Sequence, residues 1–390
     1  MLLEPRSTDR AAGTGAVHSL LAELGVEPLI HCGGTKTTMG GSRTDPEVRD
    51  VMWAASDVFV PVAELNAAVG RFIAGATGAE AAMVTSGAAS GCVLSLAACM
   101  TGTDPARVAA LPNPVGMRDE MVLMRTHVGR YTHMYRQTGA RVVEVGTMNE
   151  CHLWEILSAV NERTAAIGWL EGPGIRQVGP DFATVCREAH ELGIPVIVDA
   201  AAMLPPRANL RRYLDQGADL VAISGGKVIR GPQNTGLLYG RRDLIEAARA
   251  NNGPNQAIGR AHKVTREDML GLYVALKRYL GADEDAELAY WRELLAPVHD
   301  TLSHLPGADL AVLHDEYRHH VPTLVLGRIR EVFGRRPSEV AAALLAGVPR
   351  IFVPADDSRD ELTVNPVSLA EDQVAVVAER IRAELTALAA

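Results

Sequence analysis

Two side chains in this 390-residue chain are spaced to share one chemistry, Asp199 and Lys227. Each closes a short apolar run. The run 194–198 ends at Asp199, and the run 218–223 ends in Ser224-Gly225-Gly226-Lys227. Continuous apolar runs of this length, separated by a helical stretch over 208–216, mark strands buried on both faces of a parallel sheet. In such a sheet the carboxyl ends of the strands line one crevice, and ligands bind there. An acid and a lysine 28 positions apart then face a single cleft. Pyridoxal 5'-phosphate requires this pair: an amine to form the Schiff base, and a carboxylate to pair with the pyridinium nitrogen. The two glycines before Lys227 leave room for a cofactor to approach the backbone. The same residues also fit a plainer arrangement, with Asp199 capping a helix and Lys227 on a solvated glycine loop. The pair alone does not separate the two.

The surrounding elements must position that pair. A strand over 81–85 leads through Ser86-Gly87-Ala88-Ala89-Ser90-Gly91 into a helix reaching about residue 100. Small residues between a strand and a helix start leave backbone N–H groups free, at the positive end of the helix, for an anion. Ser86, Gly87 and Ala88 are therefore candidates for the cofactor phosphate. A strand over 121–125 runs into RTHVGRYTHMYR at 125–136, rich in histidine, arginine and tyrosine. Further strands are expected at 141–146, at 164–170 before Glu171-Gly172-Pro173-Gly174, and at 235–239. Helical spacing over 153–160 and a helix capped by Asp181 fall between them. The βαβ order predicts an α/β fold with a doubly wound, mainly parallel sheet of seven strands. Beyond a long helical stretch over 266–294, a smaller α+β region is expected. It has strands at 310–313, 323–326 and 350–353, a helix over 337–346, and a last helix opened by a Ser368/Glu371 capping box.

Four stretches together resemble one family. SGGKVIRGPQNTG resembles the lysine loop of the selenocysteine synthase-like enzymes, a branch of the fold type I pyridoxal phosphate enzymes. VTSGAAS at 84–90, EVGTMNE at 144–150 and PVIVDAAAMLP at 195–205 occur in that family's order. The likeness spans roughly 28–280 and implies Lys227 as the Schiff-base lysine, with Ser224 beside the cofactor. It also implies His127 stacking on the pyridine ring. It extends to the glucosaminate-phosphate ammonia lyases, and hence to α,β-elimination on an amino acid or amino sugar acid. A racemase, an aminotransferase or a selenium transferase acting on seryl-tRNA are the alternatives. The glycine-rich loop 31–43 brings Lys36 and Arg43 as candidates for a substrate carboxylate or phosphate, with Arg125 and, in the 251–264 loop, Arg260. In enzymes of this fold such loops often reach the partner's site, so a homodimer or higher homo-oligomer with shared sites is expected. Arg350 is a further candidate for a substrate carboxylate.

Composition narrows the class. The net charge is −9 and the pI near 5.8, which does not suit a nucleic-acid surface. There is no apolar run of membrane-spanning length, and the first residues lack a signal-peptide pattern. Five cysteines without a C-x-x-C fit reduced thiols and a cytoplasmic setting. The expected division is an N-terminal arm over 1–28, a large cofactor-binding domain over 29–280 and a small domain over 281–390. No metal site is expected.

Overall fold

The computed structural model describes residues 10–387. In chain order the strands are β1 (Leu29–His31), β2 (Ala81–Thr85), β3 (Glu120–Met124), β4 (Arg141–Val145), β5 (Thr164–Leu170), β6 (Val196–Asp199), β7 (Leu220–Ser224) and β8 (Gly236–Gly240). They are followed by β9 (Asp309–Leu313), β10 (Thr323–Gly327), β11 (Arg350–Phe352), β12 (Ala355–Asp356) and β13 (Glu361–Val364). The chain divides into two compact units. The larger holds Thr35–Leu288 with His314–Val321; the smaller takes the chain before and after, including Ala289–Leu313.

The larger unit is built on a seven-stranded sheet in the order β2-β8-β7-β6-β5-β3-β4. Five strands, β3 to β7, pair in parallel with one another; β8 is antiparallel to both its neighbours, β2 and β7. The reason lies in the connection. The link 225–235 between β7 and β8 is loop and turn, too short for the crossover helix that a parallel return needs. The sheet is therefore an α/β sheet, mainly parallel as the apolar runs predicted. β2, β3 and β8 are buried at every position, because helices cover both faces.

The helix Gly87–Thr101 lies against the centre of this sheet and is buried along nearly its whole length. Its residues are mostly Gly, Ala, Ser and Cys, so its backbone comes close to the strands. A Cβ at Gly91 would stand 3.2 Å from the Ala222 methyl. The helix start is therefore carried on rigid neighbours, not on a loop.

In the smaller unit, β1 pairs in parallel with β11, and β12-β13-β10-β9 form an antiparallel sheet. The sequence assigns Leu29–His31 to the large domain, but hydrogen bonding to β11 joins it to the C-terminal segments. The long helical stretch is two helices, Arg266–Gly281 and Glu284–Ser303, because Ala282 and Asp283 leave the helical conformation. The Ser368/Glu371 capping box does not form. Ser368 Oγ donates instead to Gly34 O at 2.8 Å. The last helix starts later, at Glu371, with Ala370 N donating to Gln373 Oε1. Arg350, the further candidate for a substrate carboxylate, donates its Nε to Leu345 O at 3.1 Å. Among the described residues, no helix is long and apolar enough to cross a membrane.

Candidate active site

A cavity of about 650 Å³ opens at the carboxyl ends of β2, β5, β6 and β7 in the larger unit. Its wall includes Asp199, Ser224 and Lys227 on one side, and Ser86, Gly87 and Ala88 on another. Strand polarity explains the convergence. β6 and β7 are parallel neighbours, with Asp199 beside Ala222 in register, so the residues that end them emerge at the same edge.

Asp199 is buried, and its Oδ1 accepts from Ala201 N at 3.1 Å. Burial pushes its carboxyl pKa up, partly countered by the Ala201 N–H and by Lys227. Lys227 is half-buried; among the described residues no hydrogen bond or ion pair holds its amine. Burial lowers its pKa, partly countered by the Asp199 charge. A lysine so placed gives up its proton more readily than a solvated one.

The anion cradle is built by close contacts. Gly87 has φ of 77°, and a Cβ there would meet nothing within 4 Å, so the space over this helix start is open. The first N–H groups of the helix have no partner within it. Asn66 anchors the strand below through Val84: its Nδ2 donates to Val84 O and its Oδ1 accepts from Val84 N. Ser86 Oγ donates to Asn234 Oδ1. From below, Gly236 supports the turn, and a Cβ there would lie 2.4 Å from the Gly87 carbonyl carbon. Gly236→Ala should therefore shift the cradle. We expect about tenfold weaker cofactor binding, equal to about 1.4 kcal/mol, measured by fluorescence titration with pyridoxal phosphate.

These residues fit pyridoxal 5'-phosphate. An open helix start suits the phosphate, a buried carboxylate suits the ring nitrogen, and an amine without a partner stands in the same cavity. The glycine-rich loop approaches this site as its sequence implied. Ser42 N and Oγ both donate to Gly226 O, and Gln233 Nε2 donates to Thr37 O at 2.9 Å.

Other expected residues stand elsewhere. His127 is outside the cavity wall. It is 2% exposed and packs edge-on against Trp169 with ring centroids 5.0 Å apart. Its Nε2 meets Gln177 Oε1 at 2.8 Å and its Nδ1 accepts from Leu170 N at 3.3 Å. Burial pulls its pKa down to about 4, so it is a neutral strut under the Leu170–Glu171 loop. Arg125 is turned away by an ion pair with Glu144 at 2.8 Å. Lys36 and Arg43 are exposed and Arg260 half-buried, and none of these three lines the cavity. The lining residues that sequence reasoning did not name as site candidates include Tyr131, Met134, Glu171, Ile175, Gln233 and Asn234. Gln233 and Asn234 lie in the lysine loop and Glu171 ends β5, so strand-end position was the available signal. All five cysteines are free, and Cys32 is fully buried, which pushes its thiol pKa up to about 12.

Comparison with known proteins agrees with this geometry. The family model described as L-seryl-tRNA selenium transferase matches residues 63–304. A Streptomyces protein named 5'-C-glycyluridine monooxygenase-decarboxylase is 32% identical over 96% of this chain and 93% of its own. The D-glucosaminate-6-phosphate ammonia lyase of Salmonella typhimurium is 31% identical over 93% of this chain and 97% of its own. A solved D-glucosaminate-6-phosphate ammonia-lyase structure superposes with a TM-score of 0.82 at 30% identity, covering 94% of this chain and 98% of that one. A glutamate decarboxylase from Lactobacillus brevis shares the fold alone, with a TM-score of 0.59 at 15% identity and coverage of 99% of this chain and 93% of that one. With the sheet, the cradle and the lysine loop all in place, the chain belongs to the L-seryl-tRNA selenium transferase (SelA) family of fold type I, pyridoxal phosphate-dependent enzymes.

Proposed function

We propose that this enzyme is a lyase that eliminates a β-substituent from an amino acid or amino sugar acid. The observation that carries this reading is the convergence of Lys227, Asp199 and the Ser86–Gly87–Ala88 turn on one cavity. Pyridoxal phosphate supplies an electron sink for charge developing at the substrate Cα. Backbone N–H groups of Ser86, Gly87 and Ala88 would hold its phosphate, and Asp199 its ring nitrogen in the protonated form. Lys227 Nζ would anchor it covalently. When free, the same nitrogen would take the substrate Cα proton as general base. Its burial-lowered pKa suits that task, since an amine must be uncharged to accept a proton. Glu171, Gln233 and Asn234 offer polar groups to orient substrate hydroxyls. The surrounding walls exclude water while the β-substituent leaves with the electron pair of its bond to Cβ.

The test is direct. Enzyme loaded with pyridoxal phosphate, given D-glucosaminate 6-phosphate, should release ammonia under anaerobic conditions. A second reading rests on the Streptomyces relative, which is named as a monooxygenase-decarboxylase. Oxygen-dependent consumption of 5'-C-glycyluridine, with no ammonia from the sugar acid, would favour it and refute elimination.

The proposed setting is the cytoplasm, and the proposed assembly is a homodimer in which Arg43 and Arg260 serve the neighbouring copy's site. An exposed apolar run supports pairing: residues 58–63, Val-Phe-Val-Pro-Val-Ala, all face solvent, with Phe59 87% and Trp53 81% exposed. Runs of this kind mark interaction surfaces. Phe59→Asp is expected to shift the chain from dimer to monomer by light scattering. A wild-type monomer would contradict the shared-site arrangement.

A further inference from the structure

The connection between β9 and β10 leaves the smaller unit as a chain segment, since His314–Val321 belongs to the larger unit. Its turn is self-supporting. Asp315 Oδ1 accepts from Tyr317 N at 2.8 Å and Arg318 N at 2.6 Å, and Asp315 N donates to His319 O at 2.9 Å. The turn carries Tyr317 against the loop that follows β5. Gly174 N donates to Tyr317 O at 2.6 Å, and Tyr317 Oη donates back to Gly174 O at 3.2 Å. Gly174 has φ of 80°, so this loop holds a left-handed backbone where it is gripped. Its neighbours Gly172, Pro173 and Ile175 line the active-site cavity, as does Glu171. Three residues along from Tyr317, the half-buried His320 ring meets the Pro205 carbonyl. Pro205 lies in the segment after Asp199 whose Ala201 and Ala202 also form cavity wall. One short segment thus grips two of the loops that shape the site, and neither grip touches the lysine loop or the phosphate cradle.

We propose that Tyr317 is a positioning residue: it fixes the Glu171–Ile175 wall on which the substrate rests, and so sets substrate affinity without affecting cofactor capture. This rests on the cavity being the substrate site. The segment is the stretch of the larger unit that lies between β9 and β10 of the smaller one. Tyr317 is therefore the point at which the β9–β10 connection bears on the substrate wall.

The experiment compares wild type, Tyr317→Phe and Tyr317→Ala as full-length enzyme loaded with pyridoxal phosphate. Hydrogen exchange is followed by mass spectrometry, borohydride trapping is scored at Lys227, and D-glucosaminate 6-phosphate is the kinetic probe. In Tyr317→Ala, exchange over 171–176 should quicken about tenfold, the effect of losing roughly one net hydrogen bond with its packing. Exchange over 84–90 and 224–236, and the yield of trapping, should match wild type. KM for the probe should rise about tenfold with kcat within about twofold. Both variants keep the backbone carbonyl that accepts from Gly174 N and lose the Oη bond to Gly174 O, but Tyr317→Phe also keeps the ring, so it should fall between the two. Unchanged exchange over 171–176, or exchange raised equally over all three segments, would overturn the proposal. Failed trapping in wild type would instead refute the cofactor reading, and absent turnover the choice of substrate. In either case the exchange pattern still decides the role of Tyr317.

Discussion

Lys227→Ala should abolish covalent capture of pyridoxal phosphate and lower turnover by at least about 10²–10⁴-fold, the range for loss of a positioned acid–base group. The variant should still fold. Lys227 makes no hydrogen bond or ion pair among the described residues, so its removal breaks no such contact and gives up only its attraction to the Asp199 charge. Gly225 and Gly226, which the loop needs, remain. A Cβ at Gly226 would fall 2.5 Å from Gln233 Cα, and one at Gly225 2.4 Å from Thr235 Oγ1. The cradle is also untouched, so the variant should bind the vitamer reversibly through its phosphate. An intact thermal transition with binding but no borohydride-resistant adduct is the expected outcome. Residual turnover near the wild-type rate would show that another group does the work.

Asp199→Asn should have the second largest effect. Asn is nearly isosteric and can still accept from Ala201 N, so the cavity should keep its shape. The charge that would hold the ring nitrogen protonated is lost. Truncating one partner of a buried charge pair costs about 2–5 kcal/mol, which corresponds to roughly a 30-fold to several-thousand-fold fall in kcat. A pH signature accompanies it. Burial lowers the pKa of Lys227 and the Asp199 charge raises it. Removing that charge leaves burial less opposed, so the amine pKa falls further and the uncharged amine persists to lower pH. The pH profile of covalent cofactor capture should therefore move to lower pH in Asp199→Asn, even as catalysis drops. Movement to higher pH, or none, would mean that the two side chains do not interact as described.

The parts of the site that end strands were legible in the sequence. Asp199, Lys227 and the Ser86–Gly87–Ala88 turn each follow an apolar run, and strand polarity alone carries them to one edge. Side chains on the loops beyond were not legible, because no periodicity fixes their direction. His127 was placed over the cofactor, yet a donor at Leu170 N and an acceptor at Gln177 draw it beneath the loop. Arg125 was read as a substrate cation, but Glu144 on the neighbouring strand β4 takes it. The antiparallel sense of β8 was hidden for a related reason: an apolar run shows burial, not direction. The Ser368/Glu371 pair fitted a capping box by spacing, and a tertiary hydrogen bond to Gly34 took the serine.

The most direct measurement is mass spectrometry of enzyme incubated with pyridoxal phosphate, reduced with borohydride and digested. The account predicts one pyridoxyl adduct, on the peptide carrying Lys227, absent from Lys227→Ala. An unmodified Lys227 peptide, or an adduct of equal yield on another lysine, would contradict it.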